Sequence, residues 1–329
     1  MLNLHELQVF LVAAETENFS ETGRHLNLSQ PAVSMQIRSL EKQLGVDLFY
    51  RAGRHIRLTE AGNTLIPMAR ELVNQSIRVE EAMASLQHGE VIGLLKIGCS
   101  TTVGKYILPR LIAGLRNQHP LVRVQCHISK REDALQWLLN GEAHIAMSSL
   151  QEPLREIEYR PFLVDRIVLI TSPDHRWAQK GGVISPEELL EENFILREPT
   201  AGTYAALRNG LAEFELSPLS LKTVMTLDNS EAIRMAVQEK IGVAFVSGLV
   251  ATDAIRAGSL VSINVEGLDL SKTLYLARHT GRPATRAQTA FWEFAFAPEN
   301  EALRQRPELF IDLDISPDTL QANLPNSVI

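Results

Sequence analysis

Apolar positions recur at helical spacing through the first ninety residues. Leu4, Leu7, Phe10 and Leu11 share one side of a helix predicted over residues 4–15. Ser20 is placed to cap a short second helix, "ETGRHLNL", which stops near Asn27 and Leu28, and Ser29 to cap a third. In that third segment, "SQPAVSMQIRSLEKQLG", Val33, Ile37, Leu40 and Leu44 fall at steps of four, three and four. Pro31 fits its first turn, where the missing N–H has no partner to lose. Two short helices joined by a tight turn, set on a third, have helix-turn-helix geometry. Beyond Gly45, "VDLFYR" and "HIRLT" read as two short strands around the turn "AGR", a basic hairpin or wing.

Thr59 is placed to cap a much longer helix reaching about Gln87. Along it Leu65, Ala69, Leu72, Ser76, Val79, Met83 and Leu86 recur at alternating steps of four and three. A 3.5-residue repeat is the seam of a coiled coil and implies a partner helix, most simply from a second copy of the chain. The helix ends at His88, and "GEVIG" reads as a hinge.

From Leu94 the texture changes. Apolar stretches such as "LLKIGCS", "VRVQCHI", "RIVLITS", "LKTVMTL" and "GVAFVS" alternate with amphipathic helices, a pattern that predicts parallel sheets covered on both faces. Two such blocks, with a return of the chain to the first, suggest a two-lobed binding module. Its ligand belongs at the carboxyl ends of the strands, between the lobes. The predicted organisation is a DNA-binding domain over 1–60, a linker helix over 60–88 and a hinge over 89–93. Lobe I follows over 94–165 and 268–297, lobe II over 166–267, and an acidic tail, expected to be flexible, over 298–329.

A length of 329 residues agrees with two or three domains. No apolar run reaches the length of a membrane span. The first residues carry Glu6, Glu15 and Glu17 and no basic start, unlike a signal peptide, so the cytoplasm is the expected compartment. Cys99 and Cys126 provide no disulfide framework and read as buried structural thiols. A net charge of −7 argues against a uniformly basic nucleic-acid binder, but the charge is uneven. Between residues 24 and 57, Arg24, Arg38, Lys42, Arg51, Arg54 and Arg57 stand against only Glu41 and Asp47.

That patch surrounds the third helix. With Val33, Ile37 and Leu40 inward, helical geometry puts Pro31, Ser34, Met35 and Arg38 on the opposite side, with Gln30 and Ala32 on its flanks. Gln pairs with adenine, Ala and Met meet the thymine methyl, and Arg takes guanine or phosphate. A merely solvated face would carry Lys and Glu there. Arg51 and Arg54 in the wing suit phosphates or the adjacent minor groove, and Arg24 and Arg57 suit phosphates or surface ion pairs.

The second half offers hydroxyls at strand-to-helix turns. "GCSTTVGKY" approaches the phosphate loop G-x-x-x-x-G-K-[ST], but has one residue too many and Tyr106 where the magnesium-binding hydroxyl belongs. Ser100, Thr101 and Thr102 at a helix start still favour an anion. "REPTAGTY" adds Arg197, Thr200, Gly202 and Thr203, and "ISKRED" adds Ser129 and Lys130. Ordinary helix capping is the alternative use of these residues. The histidines lack metal spacing and no nucleophile motif occurs, so neither a catalytic set nor a metal or resident cofactor is expected.

The run "FSETGRHLNLSQPAVSMQIRSLEKQLGVDLFYRAGRHIRLTEAG" resembles the N-terminal signature of LysR-type transcriptional regulators. The resemblance implies an α/β multi-domain fold: an N-terminal winged helix-turn-helix, a long dimerising linker helix, and a two-lobed effector domain like a periplasmic binding protein. It implies double-stranded promoter DNA as partner, a homodimer or tetramer, contact with RNA polymerase, and a small-molecule effector. The "REPTAGT" segment looks like the subgroup controlling carbon-fixation or nitrogen- and sulfur-assimilation genes, whose effector would be an organic acid or phosphorylated metabolite. The sequence departs from the family at Thr22 and Gly23, where two alanines are usual. The competing class is a cytosolic α/β enzyme or small-molecule-binding protein with an unrelated N-terminal adaptor.

Overall fold

The computed structural model describes residues 1–52 and 55–305. Arg54 and tail residues 306–329 lie outside the described residues. The chain divides into two compact units, Met1–Gly93 and the remainder from Leu94.

In the first unit, α1 (Leu4–Thr16), α2 (Phe19–Leu26) and α3 (Gln30–Leu44) precede a hairpin of β1 (Phe49–Ala52) and β2 (His55–Leu58), then α4 (Glu60–His88). Leu7, Val9, Phe10 and Ala13 of α1 pack with Val33, Ile37 and Leu40 of α3, with Leu48, and with Leu65 and Ala69 of α4. The buried face of α1 is therefore turned from the one expected, and Leu4 is exposed. The cap of α2 is Asn18 rather than Ser20: its Oδ1 accepts from the backbone N–H of Ser20 and Glu21 at 2.9 and 3.2 Å. The helix starts one residue before Ser20, so that serine is already inside it. Asn27 then takes the left-handed conformation (φ 54°), ending α2 and turning the chain into Ser29, whose hydroxyl accepts from the Ala32 N–H. β1 and β2 pair antiparallel, Phe49 opposite Leu58. Thr59 caps α4 through the Gly62 N–H, and Gly89 (φ 70°) closes it.

In the second unit the order is β3 (Gly93–Ser100), α5 (Leu108–Gln118), β4 (Val122–Ser129), α6 (Arg131–Leu139), β5 (Ile145–Ser148) and β6 (Ile157–Thr171). Then come α7 (Arg176–Gln179), β7 (Val183–Ile184), β8 (Asn193–Arg197), α8 (Gly202–Ala212), β9 (Lys222–Leu227) and α9 (Ser230–Gln238). The last elements are β10 (Ala244–Ser247), α10 (Gly248–Arg256), β11 (Val261–Val265), β12 (Leu270–His279), α11 (Arg286–Phe296) and α12 (Glu301–Gln305). The main sheet runs β4-β3-β5-β12-β6-β11-β7, with β10 also paired to β6, and β8 and β9 form a second, parallel pair.

The expectation of parallel sheets is corrected: the main sheet is mixed. β3 and β5 are parallel, but β12 runs antiparallel to both β5 and β6. β6 is 15 residues long, so "RIVLITS" is its second half and no new strand begins there. Alternation reports which faces are buried, not which way a neighbour runs, so this pairing leaves no local trace. The two long strands pass through both lobes. Trp177, Phe194, Leu207, Leu211 and Phe245 fill one core of the second lobe, and Ala134, Leu135, Leu138 and Ile157 a core of the first. The helix expected from Gly104 opens with a wider π-helical turn, Val103–Ile107, before α5.

Candidate functional site

Two sites emerge, one in each unit. On α3 the inward residues Val33, Ile37 and Leu40 are fully or almost fully buried, which fixes the rotation of the helix. Gln30, Pro31, Met35 and Arg38 are consequently exposed, with Ala32 and Ser34 half-buried beside them. Met35 stands 65% exposed, a large apolar side chain held in solvent on a face that also carries Gln30, Ser34 and Arg38 as hydrogen-bonding groups. Such a mixture matches the edges of base pairs, which combine donors, acceptors and a methyl. Arg51 is exposed on the hairpin, as is Arg24 on α2. Arg57 pairs with Glu17 at 3.4 Å, so of the two roles open to it the surface ion pair is the one observed.

The α2–α3 junction is unusually tight. A Cβ on Gly23 would lie 2.5 Å from the Leu28 carbonyl oxygen. Thr22, fully buried, donates to the Asn18 carbonyl at 2.9 Å and shares a hydrogen bond with Thr16. The departure from paired alanines thus serves a closer turn that sets the angle of α3.

α4 divides in its surroundings. Leu65 and Ala69 are buried in the core of their own unit, whereas Leu72, Val79, Met83 and Leu86 are exposed.

In the second unit the ends of β3, β4 and β8, the segment after β5 and the first residues of β12 surround an open cleft of about 430 Å³, part of it open solvent. All nine residues singled out from the sequence line it: Ser100, Thr101, Thr102, Ser129, Lys130, Arg197, Thr200, Gly202 and Thr203. Three helical segments begin at its wall, capped at Thr102, Lys130 and Ala201, and none of these makes a side-chain capping hydrogen bond. Their first backbone N–H groups have no partner within the helix and are suited to a negative group.

The cations of the cleft differ sharply in availability. Arg197 donates from Nε and Nη2 to both oxygens of Glu198, at 2.8 and 2.9 Å, and from Nη1 to Ser230 at 2.5 Å. Burial would raise the Glu198 carboxyl, but Arg197 outweighs it and holds the group below the usual carboxylate range. Arg131 is paired with Glu132 at 3.0 Å. Lys130 is exposed. Lys272, which sequence reasoning missed, is only 12% exposed and pairs with the buried Asp165 at 2.9 Å. It faces Asp165 only because β12 pairs with β6, a relation without local signal. Ser149 was missed for the same kind of reason, since it follows β5 with no helix start to mark it.

Elsewhere in the second unit, Lys105 and Tyr106 of the π-turn meet Glu231 of α9, the former at 2.8 Å. The near-phosphate-loop lysine is thereby paired with an acid. Cys99 is buried and its thiol is pushed up to about 12, chiefly by burial and further by Cys126, leaving almost no thiolate at neutral pH. No group of three or more metal-ligating side chains occurs among the described residues.

An exposed reading helix on one unit and an anion-suited cleft at strand ends on the other define a DNA-binding regulator with a small-molecule domain. Residues 4–63 match the family described as bacterial regulatory helix-turn-helix protein, lysR family, and residues 88–297 the LysR substrate binding domain. The chain is 32% identical over 297 residues to the RuBisCO operon transcriptional regulator of Allochromatium vinosum, covering 90% of this chain and 96% of that one. It is 32% identical to the HTH-type transcriptional activator CmpR of Synechocystis, over 89% of this chain and 95% of the relative. Among solved structures, full-length OxyR from Pseudomonas aeruginosa superposes with a TM-score of 0.67 at 22% identity, covering 90% of this chain and 95% of that chain. CbnR, a LysR family regulator, superposes at 0.66 and 19% identity, over 89% of this chain and 98% of that chain. The chain belongs to the LysR family of transcriptional regulators.

Proposed function

We propose that the protein acts in the cytoplasm as a homodimer or tetramer that binds promoter DNA and answers to a small anionic metabolite. The exposed face of α3 enters the major groove, with Gln30 and Arg38 on base edges or phosphate and Arg51 on the backbone. Leu72, Val79, Met83 and Leu86 join α4 to the same helix of a second copy. RNA polymerase is the partner through which promoter binding takes effect. The target genes are carbon-fixation or nutrient-assimilation genes, a reading supported by the names of the relatives from Allochromatium vinosum and Synechocystis. An organic acid or a phosphorylated metabolite occupies the cleft.

The observation that carries the effector reading is the convergence of nine hydroxyl-bearing, glycine or cationic residues from three separate turns on one cleft. Genome-wide selection of binding sites tests the regulon: sites should be dyad-symmetric and lie upstream of such genes. Sites scattered without a dyad would overturn the dimeric reading. In a mobility-shift assay on a selected site, Arg38→Ala and Gln30→Ala should each weaken binding about fivefold to hundredfold. Unchanged affinity in both would remove α3 from the groove.

A further inference from the structure

The cleft contains more positive residues than free positive charge. Arg197 and Arg131 are each held by the carboxylate next to them in the chain, and the hydrogen bonds to Glu198 engage one whole edge of the Arg197 guanidinium. Lys272 is differently placed. Its Nζ forms an ion pair with Asp165 Oδ2 at 2.9 Å, without hydrogen-bond geometry, and donates to Thr203 Oγ1 at 3.2 Å, so the ammonium keeps N–H groups for the cleft. Asp165, 1% exposed, also accepts from Ser247 at 2.8 Å, which keeps it from moving toward the cleft.

Thr203 is the second residue of α8 and 4% exposed. Because its oxygen accepts from Lys272, its own proton must point to another acceptor, and no described hydrogen bond supplies one. Lys272 and Thr203 therefore offer the cleft donors at the start of a helix whose first N–H groups are also donors. The cleft is also lined by the Glu132 and Glu198 carboxylates, but these are engaged by Arg131 and Arg197, so at this end donors predominate and complement a group that only accepts, namely a carboxylate or phosphate oxygen. A structural role explains less. A buried ion pair is commonly no more stabilising than an apolar pair of equal volume, so holding β6 to β12 does not require one.

We propose that Lys272, oriented by Asp165 and Thr203, is the residue that binds the anionic group of the effector. Arg197, held by Glu198 and Ser230, then shapes the cleft and does not clamp the ligand. This rests on the reading of the cleft as an anion site, and the experiment separates the two. The full chain is titrated at constant ionic strength with inorganic phosphate, glycerol 3-phosphate and malonate, following the thermal midpoint and the calorimetric heat. Saturable stabilisation by the phosphate compounds or by malonate shows which oxyanion the cleft takes, and stabilisation by none of them overturns both the cleft reading and this one.

Lys272→Met alone strands a buried carboxylate, so it is paired with Asp165→Asn, which removes both charges and leaves an amide oxygen to accept from the buried Ser247 hydroxyl. With the proposal correct, that double variant unfolds near the wild-type midpoint but binds the stabilising anion about tenfold to hundredfold more weakly. Arg197→Lys, which keeps the charge but loses the paired contact to Glu198, should bind within about threefold of wild type. If the double variant binds as wild type does, Lys272 is a structural residue and the cleft reading stands without it. Thr203→Val, which keeps the ion pair and removes only the hydroxyl, should weaken the same anion about tenfold, and no change there would remove Thr203 from the site.

Discussion

At the scale of single residues, the tightness of the α2–α3 turn sets two opposed effects at Gly23. Alanine is the better helix former by about 1 kcal/mol, so propensity alone favours Gly23→Ala. The new Cβ, however, would meet a backbone carbonyl at 2.5 Å, and a backbone atom cannot swing away as a side chain can. Overpacking of this kind costs about 1–3 kcal/mol, and more where the backbone resists, so the net effect is destabilising. Urea unfolding followed by helix signal should show a lower midpoint for Gly23→Ala, and weaker DNA binding as α3 tilts. A higher midpoint would mean that the turn relaxes without strain. Residue-level chemistry was unevenly legible from the sequence. Ser100, Thr101, Ser129 and Thr203 could be found because each sits where a strand turns into a helix, a local pattern. Lys272 could not, because its partner Asp165 is brought to it by strand pairing across more than a hundred residues. That Arg197 spends its fork on Glu198 is a matter of rotamer, which adjacency in "REPTAGTY" does not disclose.

At the scale of elements, α4 carries one repeat with two different partners. Its first two seam residues, Leu65 and Ala69, belong to the core of the DNA-binding unit, and the later apolar ones, Leu72, Val79, Met83 and Leu86, are exposed. Periodicity shows that a stripe is apolar and not what covers it. The two halves should therefore respond differently to substitution. Val79→Glu with Met83→Glu should leave the unfolding midpoint nearly unchanged and convert the dimer to monomer in sedimentation. Leu65→Ala should cost about 2–5 kcal/mol of stability in the first unit. If the glutamate pair leaves the mass doubled, the assembly is held elsewhere. A second element-scale link is the meeting of the π-turn with α9. Burial opposes ionisation of Glu231, yet Lys105, Tyr106 and Arg234 hold its carboxyl below the usual range, while burial and Glu231 push the Tyr106 hydroxyl well up. A lowered carboxylate contributes stability above its unfolded value, about 4.3, and loses it as pH falls through the folded value. A raised phenol contributes below about 10 and loses it as pH rises. The link is thus strongest between those limits. Wild type should exceed Glu231→Gln by about 1 kcal/mol near neutrality, with the gap closing in acid and in strong base when thermal midpoints are compared across pH. A gap independent of pH would show that the ion pair contributes nothing.

At the scale of the whole molecule, a chain of net charge −7 has to approach a polyanion. The resolution lies in distribution along the chain: between Arg24 and Arg57 six bases stand against only Glu41 and Asp47, and acids farther from bound DNA than the Debye length, about 8 Å in physiological salt, are largely screened from it. Below that screening limit the distant acids are felt, so low salt strengthens the phosphate contacts and the general repulsion together. The two kinds of contact assigned to α3 and the hairpin separate under such a titration. A phosphate contact releases counterions and contributes about 0.9 to the slope of log affinity against log salt, whereas a base-edge contact contributes to sequence preference. In a dimer each substitution acts twice. Arg51→Ala should therefore reduce the magnitude of the slope by about 2 and weaken binding to selected and scrambled sites alike. Gln30→Ala should leave the slope as it is and erode only the difference between those sites. Fluorescence anisotropy from about 50 to 200 mM potassium chloride, on both duplexes, measures slope and preference in one series, a range over which phosphate-dominated binding changes steeply. If Arg51→Ala alters preference and leaves the slope unchanged, the hairpin reads bases and the division of labour between it and α3 is reversed.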